Sequence, residues 1–307
     1  MAFEAATLLQ LVLVITWTVL WDTPAIQKHH LFTHFITSQA VLEEIALTTS
    51  IVFALGLFNV LQAAAPPTIK YFKTLPTDIS KRWAVYLLVL EKPSCRPKIY
   101  IGSGTESLRG IQDRFRQYRS GNALPAWVKK VLKEGYTIVY YGLLCWIPLP
   151  TAALQPKLRL LFLALEAAFA YLFWAMRTVT KYYGMAHICR WDREDLDYDG
   201  LCSHYCLNEG IPRDYELSAE QLEALSVEKN KKRKADQREI SSNWHYQQME
   251  TDYDEYRDNK NEKKRNGSPP RTQWSFGKRK MHAPQIISKT RPTIANSVRC
   301  LLPRVTP

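Results

Sequence analysis

Trp83 to Leu90 is an unbroken apolar run of strand length, and such a run reads as a central strand buried on both faces. Pro93 and Pro97 bracket the next loop, and a short second strand is predicted over Ile99 to Ile101. Gly110 to Arg119 reads as a short helix stopped at Ser120-Gly121. The next helix is signposted by Pro125 at its first position and Gly135 just past its end. Trp127, Val128, Val131 and Leu132 form its inner stripe, while Lys129, Lys130 and Lys133 point outward. Tyr136 to Trp146 is rich in Ile, Val, Tyr and Leu, which predicts a third strand, ended by Pro148 and Pro150. Leu160 to Met176 is the most apolar helix of the chain; its one charge is Glu166, with Arg159 and Arg177 at the flanks. Three strands interleaved with helices predict a mixed α/β domain over residues 83–212.

The two ends have a different texture. Residues 1–75 form an apolar, helical leader. Within it, 5–21 and 45–65 carry no charge and approach the length that crosses a bilayer. Buried helices are the alternative, because Gln10, Asn59, Gln62 and several threonines dilute both runs. From 213 to 307 the chain is a basic tail, with a helix near 219–240 opened by the Ser218/Gln221 capping pattern. Beyond that helix its polar, aliphatic-poor composition predicts disorder. The net charge is +12, with the excess in the middle of the chain and the tail. Such a balance suits a polyanion, either nucleic acid or an anionic membrane surface. Lys231-Lys232-Arg233-Lys234 fits a nuclear-import signal or a solvated helix face. Six thinly spread cysteines fit a reduced intracellular protein, with the nucleus favoured and a membrane anchor as the alternative. His187, Cys189, Cys202, His204 and Cys206 are too irregularly spaced for a zinc site, so buried free cysteines are expected at 202 and 206.

The middle of the chain carries the candidate chemistry. A carboxylate inside an apolar helix is costly unless it meets a cation, and no Lys or Arg lies at helical spacing from Glu166. A divalent metal ion completed by water and phosphate oxygens would meet that need, as would an arginine from across the fold. Arg114 and Tyr118 stand one helical turn apart and share a face. A guanidinium can grip two phosphate oxygens and offset the charge that develops during in-line attack. Tyr86 and Tyr100 sit on the first two strands, and a phenol acts as a base only where positive charge lowers its pKa. Gly102 and Gly104 remove side chains where a phosphate could approach the backbone. With Arg116, Lys129, Lys130 and Lys133 they make up the expected nucleic-acid contacts.

Taken in order, Ala84-Val85-Tyr86, Tyr100-Ile101-Gly102, Arg114, Tyr118 and Glu166 resemble the GIY-YIG nuclease superfamily. In wording, the stretch is similar to the GIY-YIG-type domains of fungal proteins linked to mobile elements. The resemblance covers roughly the middle third of the chain. It implies a small three-stranded antiparallel sheet flanked by helices. It also implies a Mg2+- or Mn2+-dependent endonuclease acting on nucleic acid, DNA by preference. Tyr86, Tyr100, Arg114, Tyr118 and Glu166 would be the catalytic residues, with Glu166 holding the metal. The first triplet has lost its glycine, and the asparagine that ends many such domains has no counterpart before Asn208. Those departures keep two rivals open. One is a nucleic-acid-binding module without turnover; the other is a membrane-attached protein of another class.

Overall fold

The computed structural model describes residues 2–23, 28–177, 188–203 and 205–209, with scattered helical positions between 220 and 241. The chain divides near residue 218 into two compact units. The expected helix at 219–240, apart from those positions, and the tail to 307 lie outside the described residues.

The first unit is a mixed α/β structure. Its leader supplies α1 (Ala2–Asp22), α2 (His30–Phe35), α3 (Gln39–Leu47), β1 (Val52–Phe53), α4 (Leu57–Gln62) and α5 (Ile69–Phe72). Then come β2 (Arg82–Glu91), β3 (Lys98–Gly104), α6 (Ile111–Arg119), α7 (Ala126–Lys133), β4 (Thr137–Pro148), α8 (Gln155–Leu172) and β5 (Asp199–Gly200). Pro125 caps α7 rather than opening it. Its extended backbone ends the preceding loop, and its carbonyl accepts the first helical bond from Lys129 at 2.9 Å.

The sheet runs β1-β4-β2-β3-β5. It therefore has five strands where three were expected. The three expected strands form its antiparallel centre, with β2 in the middle. The additions are two-residue strands on the rims, β1 antiparallel to β4 and β5 parallel to β3. Between Val85 and Tyr86 the pairing on β4 jumps from Cys145 to Leu143, leaving Leu144 as a bulge. The Leu144 carbonyl takes its bond from Ala54 at 2.9 Å, just past β1.

α8 is buried from Leu160 to Leu172 on every side. It packs on β2 and β3 and is covered by α1 and α3. Residues from Leu8 to Leu207 thus share one hydrophobic core. Each fully buried Leu or Phe of α8 contributes about 1.5–3 kcal/mol, which the leader secures by excluding water. Among the described residues no helix is long and apolar enough to cross a membrane. The expected span at 45–65 is broken into the end of α3, β1 and α4. In α1 the hydroxyls of Thr16 and Thr18 donate to the carbonyls of Val12 and Val14, at 2.7 and 2.9 Å. Those bonds satisfy the threonine hydroxyls inside a buried helix.

α6 is anchored where β2 begins. Gly110 precedes it with φ +57°, and a Cβ there would lie 1.9 Å from the Arg82 carbonyl oxygen. Only glycine permits both the left-handed backbone and this approach.

Candidate active site

Sheet register places Tyr86 opposite Gly102. Tyr100 lies two residues before Gly102, on the same face of β3. A Cβ at Gly102 would lie 2.5 Å from the Tyr86 hydroxyl oxygen and 2.9 Å from Tyr100 Cε1. The two phenols therefore occupy the hollow that the glycine leaves, with ring centroids 6.4 Å apart. α6 closes over them. Phe115 meets the Tyr86 ring edge-on at 5.2 Å, and the Tyr118 and Tyr86 hydroxyls share a short hydrogen bond. Gly104 is likewise filled, by Ile111 at the start of α6. Both glycines stand inside β3 as packing hollows rather than in the loop expected to follow a shorter strand.

Arg114, half-buried, points into the same group. Burial pulls its pKa down, but the phenols of Tyr86, Tyr118 and Tyr100 and the Glu166 carboxylate outweigh that and raise it. Within the helix its Nη1 makes a long contact to Gln117 Oε1 at 3.5 Å. Glu166 is buried, 6 % exposed, and acts electrostatically on Tyr100, Tyr118 and Arg114. It also acts on Cys202, whose thiol donates to the Ile101 carbonyl on β3 at 3.3 Å. The three phenols thus form one buried cluster, within electrostatic reach of Arg114 and Glu166; of the five, Arg114 alone lines the open recess beside it.

The phenols are shifted away from the base role. Burial raises Tyr86 and Tyr100 well above the ordinary tyrosine value; Tyr118 adds to the rise at Tyr86, and Glu166 adds to it at Tyr100. Arg114 opposes the rise at both. Tyr118 is pushed up to about 12 by burial, against the lowering effects of its bond to Tyr86 and of Arg114. At neutral pH all three are proton donors.

The remaining candidates are dispersed. Arg116 is exposed and paired with Asp113. Lys129, Lys130 and Lys133 line the outer face of α7, and Lys130 Nζ lies 4.4 Å from the centre of the Trp127 ring. The Arg177 guanidinium also lies over that ring, at 3.3 Å. Arg109, the other arginine near the site in sequence, is exposed. Asn208 is exposed on a 3-10 turn and does not take the role of a structural asparagine. Cys202 and Cys206 are buried free thiols, while His187 and His204 lie outside the described residues.

Arg159 is a residue that the candidate set lacked. Its Nη2 donates to the Thr105 carbonyl at 2.9 Å and to Ser107 Oγ at 3.3 Å, in the loop between β3 and α6. The one available signal was its place seven residues, two helical turns, before Glu166.

Among the described residues no group of three or more His, Cys, Asp or Glu could hold a metal ion. A buried carboxylate with an arginine within electrostatic reach is a donor set that magnesium accepts, since it takes one or two carboxylates and fills its other positions with water and phosphate oxygens. No family model matches the chain, and no curated protein or solved structure is significantly similar to it.

Proposed function

We propose that the protein is a divalent-metal-dependent endonuclease of the GIY-YIG type, hydrolysing phosphodiester bonds of nucleic acid, DNA by preference. The reading is carried by the clustering of Tyr86, Tyr100 and Tyr118 about the Gly102 hollow, within electrostatic reach of Arg114 and Glu166 from two helices. Arg114 grips the scissile phosphate and offsets the charge that builds on it. Tyr118 shares a hydroxyl hydrogen bond with Tyr86 and so orients it. Tyr86 or Tyr100 accepts the proton of the attacking water. With burial holding both phenols protonated, that role requires positive charge from Arg114 and from the loaded site. A magnesium or manganese ion held by Glu166 supplies, when bound, charge stabilisation at the leaving oxygen.

The test is nicking of supercoiled plasmid by the full chain with magnesium. The wild type is expected to nick, and Glu166→Gln to bind DNA without nicking it. A wild type that neither nicks nor binds DNA overturns the reading. A second reading, a nucleic-acid-binding module without turnover, is favoured by the raised phenols and by Ala84 standing where the family has glycine. It predicts binding without nicking in the wild type, unchanged by Glu166→Gln.

A further inference from the structure

Beside Arg114 lies an open recess of about 380 Å³, lined by the loop from Gly104 to Ser107, the start of α6 and Arg159 of α8. Two guanidinium groups, from Arg114 and Arg159, border it. Its two carboxylates are engaged elsewhere. Glu106 Oε2 accepts from the Leu108 amide at 2.9 Å, and Asp113 is bonded to Arg116 and to Gln117 Nε2. Beside them the lining offers donors to an anion in the two guanidinium groups and in the hydroxyls of Thr105 and Ser107, which can donate as well as accept. Arg159 is preorganised there: its guanidinium lies 5.2 Å from the centre of the Trp83 ring while Nη2 holds the loop. A stacked, half-buried guanidinium with hydrogen bonds to a loop loses little freedom on meeting an anion. Arg159 and Glu166 share a face of α8 at a rise of about 10 Å. One rigid helix therefore carries both the candidate metal-holding acid and this arginine.

We propose that the recess is a subsite for a phosphate next to the scissile one, with Arg159 as its positioning residue. The subsite fixes the register of the nucleic-acid strand so that the neighbouring phosphate reaches Arg114. The inference deepens the nuclease reading and, as a subsite of that reaction, rests on it.

Two measurements on the full chain test it. The first is DNA binding in EDTA across a salt series. Neutralising one phosphate changes the slope of log K against log salt by about 0.9. Arg159→Gln is expected to flatten the slope by that amount and weaken binding several-fold, whereas Arg159→Lys keeps the wild-type slope because it keeps the charge. The second is thermal unfolding with inorganic pyrophosphate, which is expected to raise the midpoint of the wild type and of Arg159→Lys but not of Arg159→Gln. If both variants melt earlier yet keep the wild-type slope and the wild-type response to pyrophosphate, Arg159 only ties the loop to α8, and the subsite is overturned. Normal nicking by Arg159→Gln with an unchanged slope likewise overturns the subsite while sparing the nuclease reading. An Arg159-dependent pyrophosphate response in a chain that neither nicks nor binds DNA overturns the nuclease reading and leaves the recess as an anion site.

Discussion

At the scale of single residues, Arg114 and Arg109 offer the sharpest contrast. Both precede Tyr118 on or near α6, but Arg109 is exposed, whereas Arg114 senses three phenols and Glu166. Arg114→Ala is expected to lower the nicking rate on the order of 100-fold or more, as loss of a transition-state donor does, and Arg109→Ala far less. The comparison is read from initial nicking rates at saturating DNA. Tyr86→Phe removes the shared hydrogen bond with Tyr118 and is expected to cost about 1 kcal/mol in urea unfolding. Residue types in order were enough to nominate three tyrosines that the fold brings together, with Arg114 and Glu166 within electrostatic reach of them. They could not reveal that Tyr86 and Tyr118 bond to each other, because that contact depends on α6 folding back over β2. Nor could they reveal how far burial lifts the phenols, since a pKa depends on surroundings from distant parts of the chain.

At the scale of elements, β2, β4 and α6 to α8 were legible because each carries a run of apolar positions long enough to show its period. β1 and β5 were not, because two residues have no period. β3 was read as three residues, since its glycines look like a loop; they are strand positions whose missing side chains admit Tyr86 and Ile111. Two substitutions separate the roles of such glycines. Gly102→Ala must displace the Tyr86 or Tyr100 ring, so nicking is expected to fall while the circular dichroism spectrum is kept. Gly110→Ala meets backbone rather than a movable side chain, in a left-handed conformation as well. It is expected to destabilise the fold by about 1–3 kcal/mol or more, measured as the shift in the urea midpoint.

For the whole molecule, hydropathy could not tell a protein cover from a lipid one, and the leader proves to be part of the core that encloses α8. A chain lacking residues 1–75 is therefore expected to aggregate, with its elution volume in gel filtration as the readout. Buried phenols also tie stability to pH. Tyr86, Tyr100, Tyr118 and Tyr198 all have raised pKa values in the folded state, mainly from burial. Below the unfolded value of about 10 both states keep these protons, so the urea midpoint is expected to stay flat on this account; above it the unfolded chain ionises first and the midpoint falls. The rims of the sheet bear on behaviour at high concentration. The outermost strand β1 pairs with only Cys145 and Trp146 of β4, so among the described residues the outer edge of β4 from Thr137 to Gly142 has no strand beside it. Crowding two copies together would then bring that uncovered edge, with exposed Val139 on it, within reach of a neighbour's backbone.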